Sequence, residues 1–332
     1  MISMKKTTAL VLSALLALSG CAKNPDDALT PVTLNEVAHS IFYAPQYAAI
    51  ELGYFKDQGI DLSLVNGAGA DKVMTALVSG DADIGFMGSE ASIYTYANGA
   101  SDYAVNFAQL TQRAGNFLVG RQPDPAFQWS KLKGTKVLGG RAGGMPQMVF
   151  EYILKKHGID PKTDLTIDQS ISFGLTAAAF TSGDADYTVE FEPFATTLEM
   201  ENCGTVVASL GRDSGYVPYT AYCAKKSYME KNPQLIQKFT NAIQKGLDYV
   251  NSHSAWEIAK TIQPQFKDTP VEKIAAIIDR YKSQDTWKED TIFEKDSFEL
   301  LENILEESGE LKKRVPYEDL VRTDFSINAA KK

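Results

Sequence analysis

The chain has 332 residues, 44% of them apolar, and a formal charge of −9 at neutral pH. That acidic balance argues against nucleic acid or an anionic lipid surface as a partner, and the apolar fraction is enough for two moderate cores. The three cysteines and three histidines show no metal-ligand spacing, so neither a metal nor a cofactor is expected, and His39, His157 and His253 read as surface or capping residues.

At the N-terminus, Lys5 and Lys6 precede a short apolar run from Ala9 to Leu18, followed by Leu18-Ser19-Gly20-Cys21. A basic region, a run too short to span a bilayer and small residues before a cleavage point describe an export signal over residues 1–20. The end of that signal resembles the bacterial lipobox, which implies that Cys21 becomes a lipidated first residue anchoring the protein to the membrane outside the cytoplasm. Residues 21–31 are polar and proline-bounded, as a short tether would be.

Beyond the tether, Val32 to Val37 alternates as a strand, Ala44 to Phe55 carries helix-spaced apolar residues, and Ile60 to Val65 alternates again. Asp71 to Val78 is helical, with Gly80 placed as a left-handed C-terminal cap. Asp83 to Met87 is a strand, and Ser89 is placed to cap the next helix. A second series follows: strand Thr135 to Leu138, a glycine-rich turn, helix Met145 to His157, strand Leu165 to Ile167, helix Phe173 to Phe180 with Gly183 as its cap, and strand Tyr187 to Phe191. The five residues Ser-Gly-Asp-Ala-Asp thus occur twice, at 79–83 and 182–186, each time between a helix and a strand. Asn116 to Gly120 and Tyr219 to Cys223 read as strands at the crossings between two α/β lobes. From Pro233 onward only amphipathic helices are predicted: Leu235 to Val250, Ala255 to Ile262, Val271 to Tyr281 and Phe298 to Leu311. These are expected to pack on the first lobe. Lobe one is then 32–117 with 225–332, and lobe two is 118–224. Cys203 and Cys223 fit either a disulfide between neighbouring strands or two buried thiols.

Taken in order, the lipobox, the block Phe42 to Phe55 (FYAPQYAAIELGYF), the segment SGDADIGFMG, Leu132 to Val137 (LKGTKV) and Glu190-Phe191-Glu192-Pro193 resemble the solute-binding lipoproteins of ABC importers. The group is the one serving nitrate, taurine, sulfonates and thiamine pyrimidine precursors. The resemblance implies an α/β, two-lobed, type II periplasmic-binding-protein-like fold that closes on a small molecule. It also implies docking on permease transmembrane subunits driven by a cytoplasmic ATPase. A monomer is expected.

In open α/β sheets the ligand crevice lies beyond the carboxyl ends of the strands. That geometry nominates Phe42, Tyr43, Phe86, Met87, Gly88, Ser89 and Glu90 from lobe one, with Glu190, Phe191 and Glu192 from lobe two. The turn contributing Arg141, Gly143, Gly144 and Met145 precedes a helix whose N–H groups could receive a polar ligand atom. Aromatic rings and carboxylates dominate this set, so an amine-bearing flat heterocycle of the thiamine-precursor pyrimidine type suits it better than a sulfonate, taurine or nitrate, which would meet carboxylate repulsion. An enzyme of pyrimidine or menaquinone synthesis on the same fold is the alternative of another class. The cysteine-rich motif of the fungal pyrimidine-forming enzyme and the Gly-x-Ser-x-Gly nucleophile turn are absent from this sequence.

Overall fold

The computed structural model describes residues 28–140, 142–171 and 174–331. Cys21, Arg141 and Phe173 therefore lie outside the described residues, as do the export signal and most of the tether.

Among the described residues, ten strands form two five-stranded mixed sheets. The first has the order β2 (Ile60–Asn66), β1 (Thr30–Glu36), β3 (Ile84–Met87), β10 (Thr220–Lys225), β4 (Ala104–Thr111). The second has the order β7 (Thr166–Asp168), β6 (Lys136–Leu138), β8 (Tyr187–Phe191), β5 (Asn116–Gly120), β9 (Thr205–Ser209). In each sheet three parallel strands are followed by an antiparallel strand, β10 beside β3 and β5 beside β8.

These pairings move the lobe borders drawn from sequence. Asn116 and Phe117 pair with Phe191 and Glu190 in the second sheet, while Thr220 to Ala224 pair with β4 in the first. The chain therefore crosses out before 116 and returns before 220. Lobe borders follow backbone pairing, which is long-range and invisible in a local pattern.

The helices of the first half are α1 (Ala44–Glu51), α2 (Tyr54–Asp57), α3 (Ala70–Ser79), α4 (Glu90–Ala97), α5 (Met145–Lys156), α6 (Thr176–Ser182), α7 (Phe194–Met200) and α8 (Leu210–Ser214). The single helix expected from Ala44 to Phe55 is split at Gly53, whose φ of 75° ends α1 in a left-handed turn. The second half supplies α9 (Lys226–Lys231), α10 (Pro233–Ser252), α11 (Ala255–Ile262), α12 (Val271–Ser283), α13 (Lys295–Ser308), α14 (Tyr317–Leu320) and α15 (Asp324–Ala330). Pro233 opens α10 where its missing N–H costs nothing. Ser254 and Glu257 close a capping box on α11.

Helices α10 and α11 pack on α1, and α12 packs on α11, as expected of a helical layer on lobe one. Helix α13 does not: it packs on α5 of the second lobe, and Lys155 donates to the Glu307 carbonyl at 2.5 Å. Assigning all of 225–332 to lobe one is corrected accordingly. The apolar face of an amphipathic helix shows that it packs, not on what.

Cys203 is half-buried in a turn beside the second sheet and Cys223 is buried in β10 of the first, and both are free thiols. Burial pushes the Cys223 thiol up to about 12. His157 caps α5 and stacks on Trp129, and His253 caps α10; His39 instead joins the polar network described below. Among the described residues no helix is long and apolar enough to cross a membrane.

Candidate functional site

Strand β1 ends on Glu36, whose side chain is almost wholly buried. Gln46 Nε2 and Tyr47 Oη donate to its Oε2 at 2.7 and 2.9 Å, and His39 Nδ1 meets Oε1 at 2.8 Å. The other His39 nitrogen faces the Gln265 carbonyl at 2.9 Å. Both ring nitrogens thus point at acceptors, an arrangement that favours the imidazolium, and the hydrogen bond to Glu36 raises the His39 pKa above its usual value. Tyr222 Oη extends the network by donating to Gln46 Oε1 at 2.9 Å. This buried cluster fixes the chain just before a 3-10 turn at Ile41–Tyr43, and that turn presents Phe42 and Tyr43.

Phe42 is the hub of an aromatic cluster lying between the sheets. Its ring centroid is 5.1 Å from Tyr43, 5.7 Å from Tyr219, 5.3 Å from Tyr281 and 5.9 Å from Phe191. Phe191 ends β8 of the second sheet, whereas Phe42 and Tyr219 flank strands of the first, so the rings meet across the lobes. Each such pair adds roughly 0.5–1.5 kcal/mol beyond its buried area. The backbone is held from both sides: Trp287 Nε1 donates to the Phe42 carbonyl at 2.8 Å, Tyr281 Oη to the Gly115 carbonyl at 3.0 Å, and Ser40 Oγ to the Glu192 carbonyl at 3.0 Å. A side chain at Gly115 would enter the Phe42 ring, 2.5 Å from its nearest carbon.

Glu90, the first residue of α4, is buried and raises the pKa values of Tyr43, Tyr94 and Tyr219 through its charge, although burial is the larger cause for each. Its carboxylate folds over Gly88, where an added Cβ would overlap it. From the glycine-rich turn, the Gly143 carbonyl accepts from Tyr94 Oη at 3.4 Å and Met145 is buried at the start of α5. Gly144 is the N-cap of that helix.

Several sequence expectations are corrected here. Phe86 stacks on Tyr222 with centroids 4.2 Å apart and planes 15° from parallel, which makes it lobe-one core that meets the cluster through Tyr43. Met87 points to the opposite face of β3 and packs with Val73, Leu77 and Cys223. Ser89 makes no side-chain cap; its hydroxyl donates to the Pro218 carbonyl at 2.7 Å. Gly183 does cap α6, as its position suggested, but in extended backbone with φ −105°. Alternation along β8 turns Glu190 and Glu192 away from Phe191. Glu190 accepts from Thr188 Oγ1 at 2.6 Å and Thr176 Oγ1 at 3.0 Å, and burial pushes its carboxyl up to about 7. Glu192 accepts from the Thr196 backbone and hydroxyl, both at 2.9 Å, and pairs with Arg280 of α12 at 2.6 Å. The same guanidinium reaches Glu199 at 2.5 Å, so the acidic residue before Pro193 anchors α7 to α12.

A cavity of about 520 Å³ lined by Phe117, Ser209, Arg280 and Gln284 opens beside that ion pair. Its lining combines β9 of the second lobe with α12 of the first, and Phe117 is 5.8 Å from Tyr281 of the aromatic cluster. We place the candidate site at the aromatic cluster, because there aromatic rings of both lobes meet. Sequence reading missed Asn116, Tyr219 and Tyr281 of this region. The available signal was a polar residue opening the otherwise apolar stretch Asn116–Gly120, and a tyrosine just before β10.

Residues 41–255 match the family model described as NMT1/THI5 like. The chain belongs to the NMT1/THI5-like family. It is 46% identical over 312 residues to YtlA of Bacillus subtilis (strain 168), provisionally named a binding protein, covering 94% of this chain and 93% of that one. It is 26% identical over 250 residues to the Saccharomyces cerevisiae (strain ATCC 204508 / S288c) 4-amino-5-hydroxymethyl-2-methylpyrimidine phosphate synthase THI5, covering 68% and 69% of the two chains. The solved periplasmic aliphatic sulphonate binding protein SsuA of Escherichia coli superposes with a TM-score of 0.70 at 16% identity, over 92% of this chain and 100% of that one. The fold is therefore the periplasmic-binding-protein fold, with two α/β lobes.

Proposed function

We propose that this family member is the extracytoplasmic solute-binding component of an ABC importer, and that it captures a flat, amine-bearing nitrogen heterocycle of the aminopyrimidine class between its lobes. The observation that carries this reading is the meeting of Phe42 and Tyr219 from one lobe with Phe191 from the other. Aromatic faces arranged across a closing cleft grip a planar ring and reward closure, since the ligand touches both lobes only when they are together. Two relatives support parts of the reading: YtlA is named for binding and THI5 for a pyrimidine. Binding without chemistry follows the first of these names and the export signal read at the N-terminus. The permease would recognise the closed state, and a lipid on Cys21 would hold the protein at the membrane. Replacing Cys21 by Ser should then release the protein from the membrane fraction.

The ligand class is tested by thermal shift with 4-amino-5-hydroxymethyl-2-methylpyrimidine, taurine and nitrate. A ligand present at a hundred times its Kd adds about 2.7 kcal/mol of stability. A transition raised by the pyrimidine alone supports the reading. A response only to taurine or nitrate overturns it in favour of an anion carrier.

A further inference from the structure

We infer that Asn116 and Tyr219 read the polar edge of the ligand, the Asn116 carboxamide pairing with an N–C–NH2 edge of a heterocycle. The inference rests on the functional reading above and adds the groups that select the ligand.

Asn116 is fully buried, and among the described residues neither its Oδ1 nor its Nδ2 has a hydrogen-bond partner. Tyr219 is 3% exposed and its hydroxyl likewise lacks a partner there. Buried polar atoms are almost always paired, so an amide with both ends unmet calls for an explanation. Position supplies one. Asn116 opens β5 directly opposite Phe191, and residues facing each other across antiparallel strands project to the same side. Its neighbour Gly115 lies against the Phe42 ring. The Tyr219 ring is 5.7 Å from Phe42 and 6.2 Å from Phe191. The same two rings therefore flank an unpaired amide from the second sheet and an unpaired hydroxyl from the first.

A carboxamide presents an acceptor and two donors side by side. A 4-aminopyrimidine edge presents the complement, an amine donor next to a ring-nitrogen acceptor, so the two form parallel bonds of the kind that asparagine makes with adenine. A 4-oxo ring carries a proton on that ring nitrogen and presents the reversed pair, a donor next to an acceptor, which the same carboxamide meets by turning over. Nitrate and sulfonates offer acceptors only. The phenol of Tyr219 both donates and accepts, so it holds the ring without enforcing the choice.

The test uses the full chain and titration calorimetry with 4-amino-5-hydroxymethyl-2-methylpyrimidine and its 4-oxo counterpart, on wild type, Asn116→Leu and Tyr219→Phe. Wild type should bind both heterocycles. Asn116→Leu should weaken each by at least about tenfold, equivalent to about 1.4 kcal/mol, while Tyr219→Phe costs about threefold for both compounds. The ligand-free Tm of Asn116→Leu should hold or rise, because an apolar group of similar shape replaces an unsatisfied amide. If that variant does not fold, Asn116→Asp, which keeps an acceptor and lacks the donor, should show the same loss of affinity. Unchanged amino-compound affinity in a folded Asn116 variant, with a lowered Tm, makes Asn116 structural and overturns this inference alone. Wild type that binds neither heterocycle overturns the functional reading and this inference with it.

Discussion

The two copies of Ser-Gly-Asp-Ala-Asp invite a comparison of the lobes at a single turn. Their last aspartates do the same thing. Asp83 donates its N–H to the Thr33 carbonyl at 3.0 Å and accepts from the Thr33 N–H through Oδ2 at 2.8 Å. Asp186 repeats both bonds with Lys136, each at 2.9 Å. In both cases the partner lies fifty residues earlier, on the parallel strand beside the one the turn leads into. The aspartate is thus a register pin between β1 and β3 in one lobe and β6 and β8 in the other, while Ala82 and Ala185 are both buried behind it. The glycines differ. Gly80 has φ +88° with room around it, whereas at Gly183 an added Cβ would sit 2.6 Å from the Ala179 carbonyl oxygen. One position needs glycine for its dihedral and the other for its lack of volume.

A second contrast runs parallel. Each lobe buries a carboxylate near a strand end, but Glu36 is met by His39, Gln46 and Tyr47, while Glu190 is met by two threonine hydroxyls. Two hydroxyls do not offset the desolvation of a charge as an ion pair would, which is why the Glu190 carboxyl rises to about 7.

The largest expected effect breaks the contrast of carboxylates. A carboxyl whose folded pKa is raised contributes stability that is complete below its unfolded pKa and is lost as pH rises through the folded one. For Glu190 that window runs from about 4.5 to about 7. Glu190→Gln should therefore be more stable than wild type at pH 8, by up to roughly 3 kcal/mol, with the difference shrinking as pH falls toward 4.5. Chemical denaturation at several pH values measures it, and a gap that does not vary with pH would refute the assignment.

The glycines come next. Gly183→Ala should cost about 2 kcal/mol through overlap with backbone, and Gly80→Ala about 1 kcal/mol through its dihedral. Asn, which tolerates the left-handed region, should rescue position 80 relative to Ala and make position 183 no better. Equal responses to Asn at both sites would erase the distinction. The smallest effect sharpens the likeness: Asp83→Ala should cost about 1 kcal/mol and Asp186→Ala less, since the charge at 186 is more exposed. Urea unfolding of both variants compares them, and no loss at either would dissolve the register-pin reading.

Much of this architecture was legible because alternating strands and helix stripes are local signals. Helix Ala255–Ile262 and strand Asn116–Gly120 have the bounds that their patterns predict. Strand β4 went unseen because all eight of its residues are buried, and a strand covered on both faces has no polar alternation to read. Strand β9, half-buried along its length, gives an equally weak pattern. At the site, sequence located the strand ends correctly but not the faces: Phe86, Met87, Glu190 and Glu192 stand beside the cluster in sequence and turn elsewhere in space. Asn116 and Tyr219 escaped notice because their unpaired atoms become visible only once every neighbour is in place.

The docking of α13 on α5 bears on how such a molecule would open. Besides the two backbone crossings between sheets, a third span leaves the lobe-one layer after α12, rests on the second lobe and comes back to α14 and α15 beside β4. Parting the lobes would therefore require α13 either to travel with α5 or to slide along it.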